Sequence, residues 1–317
     1  MSRRKLISIW AVCLILGAGG RAEGGETASF LKISPGARPI GMGNAFTAIA
    51  DDLNALAWNP AGLADAKQRE ASFMHAELYA HTRFDFIGYA QPLDQLGLSG
   101  TFAIGVSRLS QETISGRDEN RRPTGSFTAA DTAYQAAYSG RFFNSGTNFG
   151  LSGKYLQSAL GDTRASAFAV DIGVKQHTNA GGRDLTFGAS VMNIGRGMRY
   201  LDETDDLPLT FSAGTGLRMF SNILLAADIR HRPHSQQTSF SFGSEYIVLP
   251  TLTLRAGYGT LFNSSTRSAG SASSAISQLQ GMGMGMGLKV GRATLNYSFA
   301  PAGELGNTQR LSVSTRF

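Results

Sequence analysis

The chain has 317 residues, of which 16% are charged and 39 are glycine. Soluble domains typically carry about 25% charged residues and roughly 7% glycine, so this chain is charge-poor and glycine-rich. That profile excludes a disordered chain, which needs high net charge and few aromatic residues, and the glycines lack the every-third-residue period of collagen.

The first 22 residues are predicted to be a cleaved secretory signal peptide. Residues 3–5 are basic, residues 6–16 form an apolar run, and residues 20–22 place small residues at a cleavage site. The only cysteine, Cys13, leaves with this segment, so no thiol or disulfide remains. Removing residues 1–22 takes away four basic residues and no acidic one, which lowers the net charge from +6 to +2. Most of the basic excess therefore belongs to the predicted signal peptide, and a nucleic-acid partner is not expected.

Residues 23–70 do not alternate, and we expect them to form a partly helical segment ahead of the main domain. Apolar residues recur at helical spacing at Phe46, Ile49, Leu53 and Leu56. The pair Asn59-Pro60 ends this run, because the residue before a proline avoids the helical region. The segment is long for a tail, and its apolar residues need a place of burial.

From residue 71 onward, apolar residues alternate with small, polar or charged ones. Successive side chains of a strand point to opposite faces, so each predicted strand has one apolar face. Strands are predicted at 71–80, 83–91, 97–108, 133–142, 147–158, 166–177, 184–193, 208–219, 222–232, 237–248, 251–262, 281–290, 292–300 and 308–317. This is an even number of segments, most near the length that crosses a bilayer when tilted, as in bacterial outer-membrane barrels.

The connections between these strands differ in length according to their position. The three long ones, 109–132, 194–207 and 263–280, follow the third, seventh and eleventh strands and so lie at one end of the sheet. Short periplasmic turns and longer external loops are typical of outer-membrane barrels. The sequence therefore predicts an all-β fold, a transmembrane antiparallel β-barrel of about 14 strands at 71–317. Its predicted location is the lipid bilayer of a bacterial outer membrane.

Charged residues on the non-apolar faces should point into the lumen, since a charge on the lipid face costs about 2–4 kcal/mol near mid-membrane. They are Lys154, Asp171, Lys175, Arg218, Asp228, Arg230, Glu245, Arg255, Lys289 and Arg310. These charges either satisfy one another across a packed lumen or hold the segment 23–70 inside it. For the second case we expect Asp51 and Asp52 to pair with luminal arginines, namely Arg218, Arg230 and Arg255.

The last strand ends the chain in an aromatic residue. Leu311, Val313 and Phe317 share its apolar face. An alternating strand that ends in Phe resembles the C-terminal signal read by the bacterial barrel-assembly machinery, which would make that machinery a partner. The alternative is an ordinary strand that happens to end in phenylalanine.

The run at 35–52, followed by Trp-Asn-Pro-Ala-Gly-Leu at 58–63, resembles the N-terminus of the PorV/PorQ family. Proteins of that family are similar to the FadL-type long-chain fatty acid transporters. The resemblance implies a fourteen-stranded barrel whose N-terminal hatch, here residues 23–70, plugs the lumen. It also implies that an Asn-Pro-Ala element lies near the substrate path. The residues that match this element and its flanks are Trp58, Asn59, Pro60, Ala61 and Gly62.

Two functions follow from the resemblance. The first is FadL-like passage of hydrophobic small molecules across the outer membrane. The alternative is a PorV-like component of protein secretion that binds secreted cargo or partner proteins. No Gly-x-Ser-x-Gly elbow is present, and Gly41-Met42-Gly43 lacks the strand and third glycine of a dinucleotide fingerprint. An enzyme, a cofactor and a metal site are therefore not expected.

Overall fold

The computed structural model describes residues 26–79, 82–94, 97–117, 120, 122–142, 146–200, 203–263, 281–301 and 307–317. The predicted signal peptide at 1–22 lies outside these ranges. Eighteen strands occur in the described chain. They are β1 (Glu70–Glu77), β2 (Thr82–Pro92), β3 (Thr101–Gln111), β4 (Ile114–Arg117), β5 (Pro123–Phe127), β6 (Ala129–Phe142), β7 (Thr147–Leu160), β8 (Thr163–Ala180), β9 (Arg183–Gly195), β10 (Met198–Tyr200), β11 (Glu203–Asp205), β12 (Thr210–Met219), β13 (Ile223–Arg232), β14 (Gln237–Leu249), β15 (Leu252–Asn263), β16 (Met282–Val290), β17 (Ala293–Pro301) and β18 (Asn307–Arg316).

Fourteen of these strands form one closed antiparallel barrel, which confirms the predicted fold class. Each barrel strand pairs with its neighbours in chain order, and β1 pairs with β18 to close the cylinder, with Glu70 opposite Arg316. Closure leaves no strand edge unpaired, which the interior of a bilayer requires. The remaining strands form two separate hairpins, β4–β5 and β10–β11. Both hairpins fall within predicted long connections, where the sequence analysis expected no strands.

The two ends of the barrel differ in the length of their connections. At the short-turn end, β8 and β9 are joined across residues 181–182 and β16 and β17 across residues 291–292. At the long-loop end, 112–128 joins β3 to β6 and 196–209 joins β9 to β12. The third predicted long connection falls almost wholly outside the described residues.

The two faces of the wall divide as the alternation predicts. On β8, Phe168 and Ile172 are 72% and 49% exposed on the outside, whereas Asp171 and Lys175 are buried inside. Most of the other predicted luminal charges are buried as well, namely Lys154, Asp228, Glu245, Arg255 and Arg310. Arg218 and Arg230 line interior cavities, and Lys289 lines a cavity at the short-turn rim.

The N-terminal segment, defined here as residues 26–69, packs against the inner face of the barrel. It contains two helices, α1 (Ala37–Gly41) and α2 (Ala55–Trp58), and 3-10 helices at Ser29–Lys32 and Pro60–Asp65. Of the run at helical spacing that ends before Asn59, only the last turn is α-helix, in α2, and turns precede it. The segment is therefore partly helical.

The apolar residues of the segment nevertheless meet in one core. Phe46, Leu53, Leu56 and Trp58 are almost fully buried and pack with inward-facing side chains of the first strands, including Phe86 of β2. Burial of these side chains removes them from water, the main favourable contribution to folding. On the opposite wall, α1 lies against glycines. A Cβ on Gly283 of β16 would stand 2.0 Å from the carbonyl oxygen of Ile40, so only glycine allows this approach.

Candidate functional site

The Asn59-Pro60-Ala61 element is clamped between the segment and the wall. The Asn59 amide nitrogen donates to the carbonyl oxygens of Thr47 (2.9 Å) and Val174 of β8 (3.1 Å), and its Oδ1 accepts from the Ala61 amide. All three residues of the element are buried. A Cβ on Gly173 of β8 would lie 2.0 Å from Asn59 Oδ1. The element therefore touches the barrel wall directly.

The residues flanking the element are also fixed. Trp58 is 1% exposed, and its Nε1 donates to the carbonyl oxygen of Pro35 over 3.3 Å. The guanidinium of Arg230 lies 4.5 Å above the centre of the Trp58 ring, a cation–π geometry. Gly62 packs against the backbone of Ala50. These flanks hold the 58–62 turn from both sides.

A buried ion network joins the N-terminal segment to β14 and β15. Arg38 pairs with Asp51, with Asp52 at 3.0 Å and with Glu245 of β14 at 2.9 Å. Glu245 also pairs with Arg255 of β15 at 2.7 Å. Burial lowers the pKa of Arg38, but the charges of Asp51, Glu245 and Asp52 outweigh it and raise that pKa above its ordinary value. The network therefore remains charged.

The partner of Asp51 and Asp52 differs from the one expected. Both carboxylates bind Arg38, which belongs to their own segment. Arg255 reaches them only through Glu245, whereas Arg230 stacks on Trp58 and Arg218 lines a cavity. Sequence reasoning missed Arg38 because the residue lies in α1, outside the strands, so no strand face assigned it to the lumen. The residue does lie within the 35–52 run that carries the family resemblance.

A second polar cluster lies where the segment meets the short-turn end. Asp65 pairs with Lys175 of β8 at 2.8 Å and accepts from His177 at 3.1 Å, while Asn148 of β7 donates to it at 2.8 Å. Burial raises the pKa of Asp65, but its hydrogen bond with His177 and the charge of Lys175 together hold that pKa far below its ordinary value. Among the described residues, no group of three or more metal-ligating side chains is close enough to hold a metal ion.

Two interior cavities flank the segment. A cavity of about 320 Å³ at the long-loop end is lined by Ile40 and Arg310, among others. A larger one of about 1340 Å³ opens at the short-turn end and is lined by Asp51, Asp65 and Arg218, among others. Asp51 belongs to the Arg38 network itself, and Ile40 lies in the same helix as Arg38. Residues of the N-terminal segment therefore line both cavities.

The residues of the predicted assembly signal lie on the outer face. Leu311, Val313 and Phe317 are 46%, 41% and 47% exposed. The Phe317 amide donates to the carbonyl oxygen of Arg69 at the point where the barrel closes. As for helices, none in the described ranges has the length and apolar character to span a bilayer.

Comparisons with known proteins place the fold. The family described as Uncharacterised protein family (UPF0164) matches residues 15–196, whereas no curated protein gives a significant match. Among solved structures, the chain is similar to the P. putida toluene transporter TodX (12% identity, TM-score 0.63, covering 90% of this chain and 99% of that one). It is also similar to the Ralstonia pickettii toluene transporter TbuX (11%, 0.59, 90% and 98%) and to a Pseudomonas aeruginosa FadL homologue (10%, 0.58, 95% and 100%). At these identities the likeness shows a shared FadL-type barrel fold.

Proposed function

The chain belongs to the uncharacterised protein family UPF0164, and from that membership and its FadL-type barrel we propose that it is an outer-membrane channel for hydrophobic small molecules. The observation that carries the proposal is a closed fourteen-stranded barrel with its own N-terminal segment packed against the inner face. Two of the solved structures that share the fold are named toluene transporters.

Orientation in the membrane follows from the connections. Outer-membrane barrels have short periplasmic turns and longer external loops, so the short-turn end faces the periplasm and the long-loop end faces outward. Residues 1–22 act as the export signal, and the apolar outer face contacts lipid. The N-terminal segment then acts as the hatch, with residues 58–62 fixing it to β7 and β8.

Passage requires the hatch to move or deform, because residues of the N-terminal segment line both cavities. The Arg38 network joins Asp51, which lines one cavity, to the helix of Ile40, which lines the other. A shift of α1 away from β14 would separate Arg38 from Glu245 and open a path along that wall. Apolar permeants then cross without a continuous water-filled pore.

Uptake into vesicles tests the channel. The protein is reconstituted into vesicles with lipopolysaccharide in the outer leaflet, and entry of labelled oleate and of toluene is followed. We expect faster entry of at least one of these probes with the protein than with protein-free vesicles. A variant with Asn59→Ala changes that rate, whereas Gln157→Ala, an exposed residue of β7, leaves it unchanged. Equal entry with and without the wild-type protein would refute the channel.

A second candidate, a PorV-like role in protein secretion, is favoured by the 35–52 run and by the two hairpins. Both β4–β5 and β10–β11 lie in connections at the outward end, the end that a secreted protein partner reaches. Crosslinking in cells followed by purification of a tagged chain tests this role. Recovery of a secreted protein that depends on the hairpins supports it, and recovery of none contradicts it.

A further inference from the structure

The cavity of about 1340 Å³ at the short-turn end, which the proposed orientation makes the periplasmic cavity, is lined by charged residues. The proposed channel assigns no role to these charges. The cavity lining includes two satisfied ion pairs, Lys175 with Asp65 and Arg316 with Glu70 at 2.9 Å. Three further cations line it, Lys67, Arg141 and Arg218. Within the described residues, none of these three has a carboxylate at ion-pair distance. Among the described residues of the lining, Asp184 is the one carboxylate without a cation at ion-pair distance, and it accepts a hydrogen bond from Asn179.

A smaller cavity of about 310 Å³ continues this surface around Arg316. It shares Gln68 and Arg316 with the large cavity and adds Lys289 and Arg292. Neither of the added cations has an ion-pair partner in the part of the chain that the structure describes. The periplasmic mouth therefore presents five unpaired cations, and like charges gathered in a concave surface attract anions.

We infer that this mouth binds an acidic, extended segment of a periplasmic protein. The cations are too widely spaced for a compact anion. Arg141 lies on β6 and Arg218 on β12, four strand spacings apart in the barrel, which is roughly 19 Å along the wall at about 4.8 Å per spacing. One carboxylate or phosphate does not reach both. An extended chain advances about 3.3 Å per residue, so acidic side chains spaced along it reach each cation in turn.

The position of the cavity excludes lipid headgroups as its main occupant. The cavity wall is the inner face of the barrel, where Asn148 and Lys175 are buried, while lipid contacts the outer face, where Phe149 is 44% exposed. Lipid headgroups therefore reach the outer rim and do not reach Arg218 or Lys67. Soluble chains from the periplasm enter directly, and the volume of about 1340 Å³ exceeds that of an ordinary small-molecule pocket.

Peptide binding to the full chain in nanodiscs of neutral lipid tests the inference. The probe is a fluorescent peptide of alternating glutamate and glycine. Matched peptides carry glutamine or lysine in place of glutamate. We expect the acidic peptide alone to bind, with an affinity that falls steeply as salt rises. The combined variant K67Q/R141Q/R218Q should weaken binding by about tenfold or more.

The control is Arg164→Gln, which removes an exposed cation at the outward end and should leave binding unchanged. Heat-modified mobility on a gel confirms that each variant is folded. Equal binding by the triple variant and the wild type would overturn the inference, as would absence of binding at low salt. Full displacement of the peptide by millimolar inorganic phosphate would indicate a compact anion site instead. Displacement only by vesicles of anionic lipid would indicate a lipid site, which also overturns it. None of these outcomes depends on whether the channel conducts.

Discussion

Asn59 joins three parts of the fold through one amide side chain. It binds the Thr47 carbonyl, the Val174 carbonyl of the wall and the Ala61 amide. Replacing it with alanine leaves these three buried groups unpaired, and each unmade hydrogen bond costs about 1 kcal/mol or more. We expect Asn59→Ala to lower the free energy of unfolding by about 3 kcal/mol. Urea denaturation in detergent measures it, with Gln157→Ala on the exposed face as the control. An equal effect of both changes would contradict this role.

Arg38 pairs with three carboxylates at once. Replacing Arg38 alone should therefore destabilise the protein more than replacing both Arg38 and Glu245. We expect Arg38→Met to destabilise the protein by about 3–5 kcal/mol, since it leaves the partly buried Asp51 and Asp52 without their cation and Glu245 with Arg255 alone. The double variant R38M/E245M should lose less than the sum of the two single variants, because the pair is coupled. A double-mutant cycle measures this difference. Strict additivity would show that the two side chains do not interact.

Asp65 makes stability depend on pH. Its pKa in the folded protein lies below the ordinary value of about 3.9. The stabilisation is therefore fully present above that ordinary pKa and is lost as the pH falls through the lower, folded-state pKa. Wild type and Asp65→Asn should differ most near neutral pH and converge in acid. Unfolding free energies measured over this range test it. The control is Asp162→Asn, an exposed turn residue, and a difference that stays constant with pH would contradict the prediction.

At the scale of elements, the seam between α1 and β16 depends on glycine. A side chain at Gly283 would collide with the Ile40 carbonyl, whereas nothing lies within 4 Å of a Cβ placed on Gly153 of β7. We expect Gly283→Ala to destabilise the protein by about 3 kcal/mol and Gly153→Ala to be nearly neutral. Trp58 is the one tryptophan beyond the predicted signal, so its fluorescence reports on the N-terminal segment during denaturation. Similar unfolding transitions for Gly283→Ala and Gly153→Ala would show that the contact between α1 and β16 does not depend on glycine.

The same glycines show how far the sequence alone could reach. The alternation of Met and Gly in β16 predicted a strand and its outer face correctly, because the period of two is a local property. It did not reveal that the glycines face α1, since that contact joins residues far apart in the chain. The helical spacing before Asn59 was likewise only a local guide, since α-helix forms there at Ala55–Trp58 alone. Phe46 and Leu53 are brought together by turns shaped by the wall rather than by local helix propensity.

At the scale of the whole molecule, the number of barrel strands was predictable, because each strand carries its own pattern. The charge network was only partly predictable. Glu245 and Arg255 were assigned to the lumen from their strand face, but Arg38 lies in α1, which has no such face. The cluster of unpaired cations at the periplasmic mouth could not be predicted from the sequence. It forms because closure of the barrel brings Lys67 of the N-terminal segment and Arg218 of β12 to one cavity.

Phe317 lies at the point where the barrel closes. Phe317 donates its backbone amide to Arg69, and its ring lies 6.4 Å from that of Tyr89 on the outer face. If Phe317 is part of an assembly signal, Phe317→Ala should lower the fraction of heat-modifiable, folded barrel in cell membranes by several-fold. The same variant should still refold in detergent, because a half-exposed ring contributes little to stability. Phe220→Ala, at an aromatic residue that is 75% exposed at the same end, is the matched control. If Phe317→Ala and Phe220→Ala assemble equally in cells, Phe317 is an ordinary strand end. If Phe317→Ala also fails to refold in detergent, its role is in stability and not in assembly.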